Sequence, residues 1–198
     1  MVRDSYKALQ PSPVKPATMC RHPRSFGMVR LDAPAIEVMT DFEEVSPASI
    51  SPDATLQEAT AKMISRGVRL LFVARADDVI QGVITARDTM GEKPVKLLQE
   101  RGGRREDLHV ADLMTPQSMM EALSMRDVLH AEVGHILQTL KQIGRQHALV
   151  VEFDPMTGRE EIRGMFSATA IGRRLGVPIQ TFEIANTFAE IEAALADS

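Results

Sequence analysis

A single cysteine, Cys20, stands in the 198 residues, so no intrachain disulfide framework can hold this chain, and nothing in its cysteine usage points to secretion. No apolar run approaches the length of a membrane span. Positive charge is not in excess either: the formal net charge is −4, which supplies no global attraction for nucleic acid or an acidic membrane. The amino terminus is polar and carries Pro11, Pro13, Pro16 and Pro23, without the pattern of a signal peptide. Catalytic signatures are missing as well. There is no Gly-x-Ser-x-Gly elbow, no glycine loop followed by Lys and Ser or Thr, and no Cys and His pair in a nucleophile context. Cys20 and His22 lie close together, but two residues in an arm do not make a metal site. These absences lead to the expectation of a cytoplasmic protein with no catalytic centre, no metal, no nucleic-acid partner and no membrane.

What the chain does carry is a repeat. Leu70-Leu71-Phe72-Val73, a polar interruption and Gly82-Val83-Ile84-Thr85-Ala86-Arg87-Asp88 read as strand, turn, strand and the opening of a helix. Leu149-Val150-Val151, a longer turn and Gly164-Met165-Phe166-Ser167-Ala168-Thr169-Ala170 repeat it, with alanine in place of the acid. Val38-Met39-Thr40 precedes the first copy and Leu113-Met114-Thr115-Pro116 the second. The period is 75 residues at the Met-Thr pair and 82 at the glycine. Between these landmarks each copy holds one amphipathic helix. Leu56, Ala59, Met63 and Ile64 recur at helical spacing until Gly67; Val133, Ile136, Leu137, Leu140 and Ile143 do so until Gly144. Each unit therefore reads strand, helix, strand, strand, helix.

That order, with Met-Thr ahead of it and a glycine, two apolar residues, a hydroxyl, two variable residues and Asp at its end, resembles the cystathionine-beta-synthase (CBS) domain family. Two copies in tandem look like a Bateman module, across residues 36 to 176. The resemblance implies an α/β (α+β) fold of two β-α-β-β-α units packed as a pseudo-two-fold pair. The chain then divides into an arm at 1–35, unit 1 at 36–103, unit 2 at 104–176 and a strand-and-helix extension at 177–198. Phe26, Met28 and Val29 are candidates for an edge strand within the arm; Pro178 to Ile184 and a helix with Phe188, Ile191, Ala194 and Leu195 on its apolar face make up the extension.

Chemistry at the end of the first unit follows from residue type. A strand that feeds a helix through Thr85 aims unpaired backbone N–H groups at whatever lies above it, which suits a phosphate. An ionised Asp88 one turn in has only acceptors and can take both hydroxyl protons of a ribose diol. The competing reading is a capping box, in which Thr85 and Asp88 serve only the helix. The resemblance implies the ribose and phosphate assignment, with cations drawn from the segment ahead of the inner strand, where Arg69 and His147 match. Arg87, Arg145 and Arg163 are further cations, and Ser167 is the second unit's hydroxyl. An adenine slot would be sought among Ile50, Val68, Leu70 and Phe72; Phe72 stands where the family usually has proline, and Leu149 occupies the same place in the second copy.

The expected function is therefore a stand-alone regulatory module binding an adenine nucleotide (AMP, ADP or ATP) between the units, chiefly through unit 1. The resemblance further implies a homodimer, with an unidentified regulated protein as a possible partner. The alternative is a ligand-free dimerisation or scaffold protein. Two other stretches are expected to be surface features: Arg101-Gly102-Gly103-Arg104-Arg105 as a solvated linker, and Asp154-Pro155-Met156-Thr157-Gly158 as the turn of a longer second hairpin.

Overall fold

In the computed structural model, residues 27–76, 79–177 and 184–196 are described. The first half runs β1 (Thr40–Asp41), β2 (Ser49–Ile50), α1 (Leu56–Arg66), β3 (Leu70–Ala74), β4 (Ile80–Thr85), α2 (Ala86–Met90), α3 (Glu92–Arg101) and α4 (Val110–Leu113). The second runs β5 (Thr115–Pro116), β6 (Ala122–Ser124), α5 (Met125–Val128), α6 (Val133–Ile143), β7 (His147–Asp154), β8 (Arg159–Ser167), α7 (Ala168–Arg174) and α8 (Ile184–Ala196). Two four-stranded sheets result, ordered β2-β3-β4-β5 and β1-β8-β7-β6. Each contains one parallel pair and two antiparallel pairs. The expected strand-helix-strand-strand-helix order is present twice.

The helices end where their glycines stand. Gly67 and Gly144 adopt φ of 64° and 63°, a left-handed conformation in which a Cβ is penalised, and so terminate α1 and α6. Thr55 caps the start of α1 through a complete capping box with Glu58. Leu56, Ala59 and Met63 face the core, but Ile64 is 76% exposed. It lies at the margin of the stripe that the other three define, because each residue advances about 100° around a helix.

Alternation along the inner strands makes a layered interior. Leu71 and Val73 of β3 point toward α1 and α4, in a core that also contains Ile84, Leu108 and Val110. Leu70 and Phe72 point the other way and meet Leu149 of β7 where the two sheets face each other. Phe72 sets its ring edge-on to Phe42, with centroids 5.5 Å apart and planes at 82°. On the far side of β7, Ala148 and Val150 pack with Val133, Ile136, Leu140 and Phe166.

The Met-Thr landmarks exchange partners between the sheets. Thr40 and Asp41 pair with Met165 and Gly164 of β8, while Thr115 and Pro116 pair with Val83 and Gly82 of β4. The repeated glycine is explained by this contact: a Cβ at Gly82 would lie 2.3 Å from the Thr115 carbonyl oxygen, and one at Gly164 2.6 Å from that of Thr40. The flanking segments follow their strands. Leu108, Val110 and Leu113 pack in the core beneath the first sheet, and Val29, Ala35 and Val38 pack beneath the second.

The remaining local expectations fare differently from one another. The basic stretch after α3 is anchored: Arg101 pairs with Asp112 at 3.1 Å, and the Arg105 guanidinium donates to the Thr89 carbonyl. Val29 belongs to no strand, although its N–H donates to the Arg174 carbonyl at 2.8 Å; Phe26, Cys20 and His22 lie outside the described residues, as do residues 178–183 of the anticipated terminal strand. The turn at Asp154 to Gly158 forms as anticipated, closed by the Gly158 N–H on the Asp154 carbonyl at 2.9 Å.

Candidate functional site

The site is built where β4 hands over to α2. Thr85 leaves the strand in an extended conformation and its N–H donates to Asp88 Oδ2 at 2.9 Å. Its hydroxyl donates to the same oxygen at 2.6 Å, and the Asp88 N–H returns a weaker bond to that hydroxyl at 3.4 Å. The capping box read as the competing explanation is thus fully made. It does not exhaust the carboxylate, because Asp88 Oδ1 points elsewhere and is met by the ammonium of Lys93. Asp88 is buried, with 6% of its surface exposed.

Lys93 reaches this position because the chain turns sharply between two helices. Gly91 ends α2, and its N–H bonds the Arg87 carbonyl at 2.9 Å. A Cβ on Gly91 would stand 2.5 Å from that same carbonyl oxygen, so only glycine lets α3 start at once. Pro94 follows in the first turn of α3, where its missing N–H costs no hydrogen bond.

Asp88 opens onto a cleft of about 1540 Å³ between the units. The first unit contributes Arg69, Leu70, Thr85, Arg87, Asp88, Lys93 and Lys96 to its lining, and the second Glu121, Lys141, Arg145, His147 and Leu149. Six cations and four carboxylates line it, an excess of positive charge on a chain whose net charge is −4. Most cations already have acids: Lys96 pairs with Glu92 at 2.8 Å, Arg145 with Glu121 at 3.2 Å, and Lys141 with Glu192. Burial lowers the Arg69 pKa from its usual value, and the neighbouring charge of Arg173 lowers it further. His147 is pushed down to about 4, first by burial and then by the Arg69 charge, so its imidazole is neutral at physiological pH.

Of the residues singled out by sequence, the cleft gathers Thr85, Arg87, Asp88, Arg69, Leu70, His147 and Arg145. The others lie elsewhere. Ile50 and Val68 pack with the core beneath the first sheet and Phe72 with the layer between the sheets. Ser167 caps α7, accepting the Ala170 N–H at 3.5 Å. Arg163 is held by Asp41, Glu43 and Glu152, away from the cleft. Strand register also sharpens the internal correspondence: Leu70 opposes Thr85 as His147 opposes Ser167, so His147 is the counterpart of Leu70 rather than of Arg69.

Two contributors escape sequence reading. Lys93 lies beyond the repeated motif, in α3. The terminal helix α8 brings Phe188, Ala189 and Glu192 to the cleft lining, although Phe188 and Ile191 are themselves buried in the core beneath the second sheet. Their apolar spacing is visible in the sequence; the surface on which they land is not. Among the described residues, no three His, Cys, Asp or Glu side chains gather in a group that could hold a metal ion, and no helix is long and apolar enough to cross a membrane.

Residues 31–92 match the family model of the CBS domain. That segment is a CBS domain. The CBS domain so matched contains β1 through α2, and the second unit repeats its strand and helix order. The chain is similar to several solved structures. A conserved protein from Pyrococcus horikoshii is 20% identical with a TM-score of 0.54, covering 77% of this chain and 99% of that one. CBSX2 of Arabidopsis thaliana, in a structure with AMP, is 17% identical with a TM-score of 0.48 over 71% of this chain and 94% of its own. The CBS domain of the bacterial CNNM/CorC family Mg2+ transporter is 21% identical with a TM-score of 0.49, over 76% and 80% of the two chains. Comparison with curated proteins yields no match.

Proposed function

We propose that this CBS pair is a regulatory module that binds an adenine nucleotide in the cleft between its units, chiefly through unit 1. The observation that carries the proposal is Asp88: a buried carboxylate with one oxygen committed to a helix cap and the other turned toward a cleft rich in lysine and arginine. A carboxylate accepts from ribose hydroxyls, and the surrounding cations suit the phosphate of the same molecule. The remaining length of the cleft offers Leu70, Val83, Met120 and Leu149 as apolar surface for a flat base. Ala170 replaces the acid in unit 2, so that unit supplies no equivalent grip on a sugar.

Replacing Asp88 by Ala tests the reading. Affinity for the preferred ligand among AMP, ADP, ATP, GTP, S-adenosylmethionine and NAD, compared by thermal shift and then calorimetry, should fall by more than about tenfold, the loss of a charge-assisted pair of hydrogen bonds.

The completed capping box favours one second reading, a dimerisation scaffold in which Thr85 and Asp88 serve only α2. On that reading the wild-type chain shifts with none of these ligands, and the substitution costs only about 1 kcal/mol of stability. The regulatory reading extends to a homodimer in the cytoplasm that passes occupancy on to a partner protein. A nucleotide can bias such an assembly only through its differential affinity for two arrangements, so scattering profiles that change at saturating ligand are the expected sign.

A further inference from the structure

Asp88 can admit a sugar from one side only. Its Oδ2 is held by a backbone N–H and a short hydroxyl, both fixed in place by the helix start, whereas Oδ1 is held by Lys93, a long side chain 54% exposed. Oδ2 already accepts two hydrogen bonds and Oδ1 one, so a ribose diol whose two hydroxyls both bind Asp88 needs both acceptor sites of Oδ1 and must displace the Lys93 ammonium. The displaced ammonium remains tethered beside the cleft at the start of α3, whose Lys96 also lines it. Lys96, Lys141 and Arg145 each keep an acid of their own when that happens. Lys93 alone loses its counter-charge.

We infer that Lys93 makes the cleft select phosphorylated nucleosides over unphosphorylated ones, by exchanging the Asp88 carboxylate for the incoming phosphate. A nucleoside without phosphate offers the displaced ammonium nothing in return. A nucleotide brings the replacement charge on the same molecule, so ribose entry and phosphate capture occur as one coupled exchange of partners. The inference rests on the nucleotide reading of the cleft and assigns a specificity role to a residue outside the repeated motif.

Calorimetric titration of adenosine and AMP into wild type, Lys93→Met and Lys93→Arg tests it. Methionine retains much of the apolar stem without the charge, and urea titration of each variant verifies its folding. The expected result for Lys93→Met is that adenosine binds as tightly as before or more tightly while AMP weakens by about tenfold or more, so the preference for AMP collapses; Lys93→Arg retains much of that preference. Equal weakening of both ligands would show that Lys93 merely holds Asp88 in place and would overturn the inference, as would unchanged AMP affinity. Wild-type protein that binds neither compound overturns the nucleotide reading and this inference together. AMP binding that depends on Asp88 but is indifferent to Lys93 overturns the inference alone.

Discussion

At the residue scale the environment of each ionisable group decides its behaviour more than its identity does. His147 illustrates the point. With its folded-state pKa pushed down to about 4 from 6.5, it is neutral in both the folded and unfolded chain above about pH 7 and contributes no pH dependence there. Between pH 6.5 and 4 the unfolded chain takes up a proton that the folded imidazole refuses, so stability falls as pH falls, at up to about 1.4 kcal/mol per pH unit. Below that range the folded protein is protonated too and this contribution stops growing. Urea unfolding of wild type and His147→Gln at pH 7, 5.5 and 4.5 should therefore show a difference that narrows or reverses toward acid in favour of the variant; parallel curves would refute the assignment.

Elements are positioned by close backbone approaches that only glycine permits. Gly82→Ala would drive a methyl group into the Thr115 carbonyl, and the obstacle is backbone rather than a flexible side-chain end. Separation of β5 from β4 should cost about 1–3 kcal/mol, read as a lower urea midpoint, with faster amide exchange in the exchanged strand as its local signature. Gly144→Ala meets no atom within 4 Å but must hold φ of 63°, so its cost should be smaller, about 1 kcal/mol, and confined to stability. Much of this scale was legible in advance. The caps at Gly67 and Gly144, the alternation of β3 and β7 and the turn after Asp154 all follow from local rules. Ile64 falls outside the buried stripe because a stripe defined by three residues leaves its margin undefined. The basic stretch after α3 read as a free linker because the acceptors that anchor Arg101 and Arg105, Asp112 and the Thr89 carbonyl, are known only once the chain has folded back.

For the whole molecule, the exchange of β1 and β5 means that neither sheet is completed by its own unit alone. Arg163 reinforces one of these crossings, meeting Asp41 on β1, Glu43 just beyond it and Glu152 on β7. Burial works against the Asp41 charge, but hydrogen bonds from Arg163 and the Glu43 N–H outweigh it and lower the Asp41 pKa, while bonding to Asp41 raises that of Arg163. A lowered carboxylate pKa stabilises the fold above the ordinary Asp value and loses that contribution as pH falls through the folded-state value. Arg163→Ala should accordingly destabilise the protein by about 1–3 kcal/mol at neutral pH, between the surface and buried limits for ion pairs, with the deficit shrinking as Asp41 is protonated. Denaturant titrations at pH 7 and pH 3 measure both quantities.

Local order in the chain, the twofold repeat, the helix ends and the acid in one copy but not the other were all set by residue type and spacing, because propensity, capping and alternation act over a few neighbouring residues. The exchange of the Met-Thr strands, the pairing of Lys93 with Asp88 and the arrival of α8 at the cleft were decided only in three dimensions. Two-residue strands have no period to read, and an ion pair or a helix docking site depends on surfaces brought together from distant parts of the chain.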